Sequence, residues 1–258
     1  MTIQSVNRAI DILSLFTVMQ PRLGITDISK HLNLSKTTVH GLIRTLTRRG
    51  FLQQDPETRK YSLGLTIYEL GTRVTDTLHI NQMSYGHISR LAENTGHTVR
   101  LGVWNNGSVL ITQNISPNLK NPHLQPSAIR IPAYCSSLGK AILASLSEKA
   151  FEEYLEQSEL IEFTENTIST PSALKSEMEK ILSNGYSEDN EEYVPGTSCI
   201  GSAIFDNTGQ PVAAISISGN ETFLKNEKLH EMIKELKRTA QDISRNLGYF
   251  PSAMSNGS

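Results

Sequence analysis

A chain of 258 residues with 38% hydrophobic content, net charge −2 and two cysteines is long enough for two domains with buried cores. Cys135 and Cys199 lie in no CxxC or Cys/His cluster, which excludes a disulfide framework and leaves no metal site indicated. No apolar run approaches the roughly twenty residues of a membrane span and the start does not read as a signal peptide, so the expected compartment is the cytoplasm, with no membrane partner.

The charge is unevenly spread. Residues 1–64 hold nine Lys or Arg against four Asp or Glu, whereas the remainder holds fifteen against twenty-two. An electropositive module that meets nucleic acid, followed by an acidic module with another task, is the expected division.

In chain order, residues 1–16 form an amphipathic helix with Val6, Ala9, Ile10, Leu13 and Phe16 on its apolar side. A short helix starts at Thr26 and packs through Ile28 and Leu32, and Asn33-Leu34 leaves only a tight turn before the next. That next helix opens at Ser35, whose hydroxyl caps the free amides of its first turn. Val39, Leu42, Ile43 and Leu46 recur at i, i+3, i+4 and i+7 and face a core. Lys36, Thr37, Thr38, His40 and Arg44 line the opposite face and first turn, with Arg48 and Arg49 at the end. These are donors suited to base edges and phosphates, and the spacing is that of a helix-turn-helix. Phe51-Leu52, a turn at Asp55-Pro56-Glu57-Thr58 and the strand Tyr61-Ser62-Leu63 make a wing with Arg59 and Lys60 near its tip, suited to a phosphate backbone or a minor groove. The DNA-contacting set is therefore Thr26, Ser35, Lys36, Thr37, Thr38, His40, Arg44, Arg48, Arg59 and Lys60.

Ile67, Leu70, Gly71, Val74 and Leu78 mark a connecting helix whose stripe serves equally for internal packing or for a dimer contact. Residues 83–96 continue as helix to a stop at Gly96. The period then changes to two: Val99, Leu101 and Val103 alternate, Asn105-Asn106-Gly107 turns a hairpin, and Val109 and Ile111 return. Residues 116–127 read as a loop, 129–131 as a short strand, and 137–146 and 172–184 as helices. Tyr186-Ser187 leads into a loop, 200–205 and 212–218 are strands joined by Asp206-Asn207-Thr208-Gly209, and Leu229, Ile233, Leu236, Ala240 and Ile243 mark a long closing helix. Helices flanking a mostly antiparallel sheet make an α+β fold. The final SAMSNGS reads as a frayed tail.

The segments QSVNRAIDIL, LSKTTVHGLIRTLTRRGFL, KYSLGL, CSSLGKAILA, GYSEDNEEYVPGTSCIGSAIFD and VAAISISG together resemble the IclR family of bacterial transcription regulators over residues 3–248. The resemblance implies a winged helix-turn-helix domain at 1–64, a linker helix at 65–80, a GAF-like effector-binding domain with an antiparallel sheet at 81–250, and a tail at 251–258. It implies double-stranded operator DNA and a small, organic-acid metabolite as partners, no cofactor, and assembly as a homodimer or a dimer of dimers. Matched position by position, it places the effector at Ser137, Leu138, Asp189, Thr197, Cys199, Ser216 and Ser218. Two positions depart from the family pattern: its paired acids read Asp189-Asn190 here, and Thr197 stands where an apolar residue is common. A hydroxyl there suits a more polar ligand.

Residue chemistry supports that set, since Ser216 and Ser218 alternate on one strand face and the amides at the start of the helix near Ser137 suit a carboxylate. The bland alternatives are serines bonding locally and a Cys199 that is merely a small buried hydrophobe. Two other functions use the same residues. A GAF-type thiol enzyme would rely on Cys199 beside Asp189, Glu191 and Glu192, but acidic neighbours raise a thiol pKa and His87, His97 and His123 are remote, so catalysis is not expected. A docking module would use the winged domain for protein partners instead of DNA, and the salt dependence of DNA affinity separates the two.

Overall fold

The computed structural model describes residues 2–117 and 128–250. In it the chain divides after Leu78 into two compact units.

The first unit holds α1 (Gln4–Ser14), α2 (Ile25–His31), α3 (Lys36–Arg48), β1 (Leu52–Gln54), β2 (Tyr61–Leu63) and α4 (Leu65–Thr77). Both ends of α3 follow from single residues. The Ser35 Oγ accepts from the Thr38 amide at 3.1 Å, fixing the start. At the other end Gly50 adopts φ +74°, and the amides of Gly50 and Phe51 fold back onto the carbonyls of Thr47 and Leu46. Val39 and Ile43 are then buried with Ile12, Ile28, Leu52 and Tyr61. β1 and β2 pair antiparallel, and Leu23 adds a bridge to Tyr61 on the wing's other side. Asp55 builds the wing turn by accepting from the amides of Glu57 and Thr58 at 3.0 and 2.9 Å.

Several expected bounds shift. α1 is shorter than residues 1–16, and Val6 and Ile10 are 51% and 55% exposed because Ile12 and Phe16 carry the contact instead. α2 begins at Ile25, where Gly24 serves as the cap residue and its amide is held by Asp27 Oδ2 at 2.9 Å. The connecting helix leaves Leu70 and Val74 exposed.

The second unit begins with α5 (His79–Thr95), four residues before the expected start, and continues with β3 (Thr98–Asn105), β4 (Ser108–Ile115), β5 (Ile129–Pro132) and α6 (Ser137–Ser145). Then come α7 (Glu148–Gln157), α8 (Pro171–Asn184), β6 (Ser187–Asn190), β7 (Thr197–Phe205), β8 (Pro211–Asn220) and α9 (Leu229–Asn246). The sheet is antiparallel in the order β5-β4-β3-β8-β7-β6. Alternation gives each face its own partner. Val99, Leu101, Ile200, Ile204, Ile215 and Ile217 meet α5 and α9 on one face, and each such fully buried aliphatic side chain contributes about 1.5–3 kcal/mol. On the other face Val109, Ile111, Ile131 and Ala214 meet α6.

α6 itself is buried from Ser137 to Ala144, sandwiched between that sheet face and a cluster on α7 and α8. Two glycines permit the approach. A Cβ on Gly139 would lie 2.2 Å from the Ala133 Cα, and one on Gly201 would lie 2.5 Å from the Ser137 carbonyl oxygen.

Three expectations change here. The segment at Ser187 is the strand β6 and not a loop, because its residues 187–190 complete the edge of β7. β7 starts at Thr197, three residues before the expected 200, and α7 occupies a stretch to which the sequence assigned nothing. Most of the expected 116–127 loop, and the tail, lie outside the described residues.

Candidate functional site

The polar face of α3 is open. Lys36, Thr37, His40, Arg44 and Arg48 are exposed, as are Thr26 on α2 and Arg59 and Lys60 on the wing. Ser35 and Thr38 are engaged with each other, their hydroxyl oxygens 2.9 Å apart, so their first task is capping. Arg59 takes a left-handed φ of 59° at the wing tip, and its carbonyl accepts from Gln54 Nε2 at 3.0 Å. Arg22 pairs with Asp55 at 3.2 Å and braces the wing turn. The Thr58 and Glu57 amides and the Arg22 charge hold the Asp55 carboxyl below its usual range. The face therefore presents cations and short hydroxyls on a rigid helix, which suits a groove and its phosphates.

In the second unit a cavity of about 250 Å³ lies between the sheet and the segment before β7. Six of the seven expected effector residues line it: Ser137, Leu138, Asp189, Thr197, Cys199 and Ser216. Ser218 does not. It sits on β8 directly opposite Cys199 and accepts that residue's Sγ–H at 3.2 Å. The first turn of α6 supplies amides to the cavity wall. The Gly139 amide is already taken by Ser136 Oγ and that of Lys140 by the Ser136 carbonyl, leaving those of Ser137 and Leu138 without an intrahelical partner.

Sequence reasoning missed Arg100, Asn114, Ile111, Ile129, Ile131, Ser136, Tyr193 and Val194, which also line the cavity. Arg100 carried a faint signal: it alternates with Val99 and Leu101 and so must face away from their core. The pairing that puts it opposite Ser216 joins β3 to the distant β8 and leaves no local trace.

Beside the cavity is a buried charge cluster that also escaped notice. Lys140, 1% exposed on α6, bonds Glu192 and reaches Glu177 on α8 at 3.2 Å. Asp189 Oδ1 accepts from the Glu192 amide at 2.9 Å. Burial pushes the Asp189 carboxyl up to about 6, although that hydrogen bond and the Lys140 and Arg100 charges pull the other way. Burial likewise takes Glu192 to about 7 against the pull of Lys140.

The same surroundings bear on the thiols. Burial, with Asp189 adding to it, pushes Cys199 up to about 11, and Cys135 is pushed up to about 12. Neither is a nucleophile near neutral pH. His87 meets the Asn246 amide and His97 packs edge-on against Phe223, while His123 lies outside the described residues. Among the described residues no group of three or more His, Cys, Asp or Glu is arranged to hold a metal. A larger hollow of about 570 Å³ lies between the end of α8 and α9, but its cations are engaged: Lys237 donates to the Asn184 carbonyl and Arg245 pairs with Asp242. No helix among the described residues is long and apolar enough to cross a membrane.

Residues 72–245 match the family described as bacterial transcriptional regulator IclR C-terminal, and residues 5–56 match the IclR helix-turn-helix domain. The HTH-type transcriptional regulator XynR of Escherichia coli K12 is 32% identical over 247 residues, covering 96% of this chain and 98% of that relative. The crystal structure of the Thermotoga maritima IclR, 31% identical, superposes over 96% of this chain and all of its own with a TM-score of 0.73. An IclR homologue of Microbacterium hydrocarbonoxydans, crystallised with 4-hydroxybenzoate, shares the fold at 23% identity and a TM-score of 0.78 over 94% of this chain and 98% of its own. A basic helix-turn-helix unit followed by an antiparallel sheet with a ligand-sized cavity, matched over nearly its whole length, places this chain in the IclR family of DNA-binding transcriptional regulators.

Proposed function

We propose that this regulator grips operator DNA through α3 and the wing, as a homodimer or a dimer of dimers, and that a small organic acid of a catabolic pathway held in the cavity changes its affinity for that DNA. The observation that carries this reading is the cavity at the start of α6. Two uncommitted amides at a helix N-terminus, with the Ser216 hydroxyl on the sheet below, form a receptor for a carboxylate. An organic acid is also what the Microbacterium relative holds. The exposed Lys36, Arg44, Arg48, Arg59 and Lys60 supply the phosphate and base contacts, and pairing two copies doubles a site that one recognition helix reads over only a few base pairs.

Fluorescence anisotropy tests both halves, using the intergenic DNA that flanks the protein's own gene. Affinity should fall steeply with salt, and at fixed salt at least one organic acid should shift the isotherm. Binding that ignores salt would sink the DNA reading, and a full set of catabolic acids without effect would sink the effector reading.

A further inference from the structure

We infer that Arg100 is the charge partner that selects the ligand, and that the cavity takes a small monocarboxylic acid with an apolar carbon body. The carboxylate would lie over Ser216 between the Arg100 guanidinium and the first turn of α6, with the body against the isoleucines of β4 and β5. This rests on the proposal that the cavity is the effector site, and it names the class of effector.

Arg100 is half-buried in the cavity wall, yet among the described residues its side chain donates no hydrogen bond and forms no close ion pair; the Asp189 charge acts on it only across the cavity. The other cation of this region, Lys140, is matched by two carboxylates. Taking a guanidinium partly out of water with no acceptor in direct contact is costly, so one facing a cavity points to an acceptor that arrives with the ligand. Its planar fork matches a carboxylate, which can accept two parallel hydrogen bonds from it.

The sheet register fixes where such a carboxylate would sit. Asn114, Arg100, Ser216 and Gly201 stand side by side on β4, β3, β8 and β7. Gly201 lies under the first residue of α6, where a Cβ would meet the Ser137 carbonyl. Neighbouring strands are about 4.8 Å apart, so Arg100 and the helix start flank Ser216 at about 5 Å on either side. An anion over Ser216 thus meets a full charge on one side and helix amides on the other. Asn114, opposite Arg100 in the sheet, adds a buried Oδ1 that has no hydrogen-bond partner among the described residues.

The two ends of the cavity differ, and the difference sets the rest of the ligand. Beyond Arg100, toward the outer strand β5, the wall is Ile111, Ile129 and Ile131. Beyond Ser216, toward β6, stands Asp189. A second carboxylate placed toward either of these ends would lie on isoleucine or against another carboxylate, and both are unfavourable. One negative charge at the centre and carbon toward β5 is the arrangement these walls accept.

The test uses the full-length protein, calorimetry and thermal melting, with benzoate, 4-hydroxybenzoate and 3-methylbutanoate as probes. Benzamide and 3-methylbutanamide are their neutral counterparts, and succinate is the dianion. At least one monocarboxylate should bind and raise the melting temperature, and should bind its site about tenfold or more tightly than its amide. Arg100→Gln should cost that acid about tenfold to a hundredfold in affinity, leave the amide within about twofold, and leave the ligand-free melting temperature no lower, because no direct contact is lost. Arg100→Lys should recover part of the loss.

Acids that bind Arg100→Gln as they bind the parent, but fail on Ser216→Ala, would keep the cavity and overturn the role of Arg100. Acids indifferent to both substitutions would remove the cavity itself as the site. Preference for succinate, or no binding by any monocarboxylate, would overturn the ligand class.

Discussion

Ser216 and Ser218 differ by one alternation on β8, and that step separates a cavity hydroxyl from one engaged with Cys199. Ser216→Ala should weaken an organic acid about tenfold in titration calorimetry, and Ser218→Ala should cost clearly less; equal losses would contradict the geometry. Asp189 makes a prediction about pH. Its carboxyl is raised by burial from 3.8 to about 6, so the folded state holds the proton more tightly than the unfolded chain does. The stability tied to that proton is complete below about pH 4 and is lost as pH rises through about 6. Asp189→Asn keeps an oxygen for the Glu192 amide but carries no charge. Its melting temperature should therefore gain on the parent's between pH 4 and 7, and a gap that stays flat or closes would argue that Asp189 ionises normally. Alternating hydroxyls made Ser216 legible in the sequence. Arg100 and the Lys140 cluster were not, because each depends on partners brought together by strand pairing or by α8 and the segment before β7.

At the scale of elements, local chemistry decided what could be read. α3 announced its start through Ser35, and its apolar phase then followed, whereas the Gly50 turn that ends it went unread. Removing the cap, Ser35→Ala, should cost the first unit about 1 kcal/mol and be visible as an earlier melting transition. On the exposed face, Arg44→Ala should cost about 1–3 kcal/mol on a specific site and flatten sequence preference, whereas Lys60→Ala should weaken specific and random DNA alike. Equal loss on both DNAs for Arg44→Ala would assign it to phosphate. β6 was illegible because SEDN has no apolar alternation and owes its extended form to the edge of β7. α1 misled for a related reason: Val6 and Ile10 obey helical spacing but face solvent, since the contact belongs to Ile12 and Phe16.

For the whole molecule, the exposed Val6, Ile10, Tyr68 and Val74 of the first unit are what motivates the proposed self-association. Light scattering at micromolar concentration should return at least twice the mass of one chain, and a monomer with and without DNA would refute it. The excess of cations in residues 1–64 already pointed to the part of the chain that matches a helix-turn-helix domain. What it could not convey is how the second unit handles force. α6 is buried from Ser137 to Ala144: the sheet meets it at Gly201, Ala133 lies against Gly139, and Lys140 ties it to α8 and to the segment beside the cavity. A ligand settling at its first turn would therefore bear on a helix that is tied at once to the sheet and to α8.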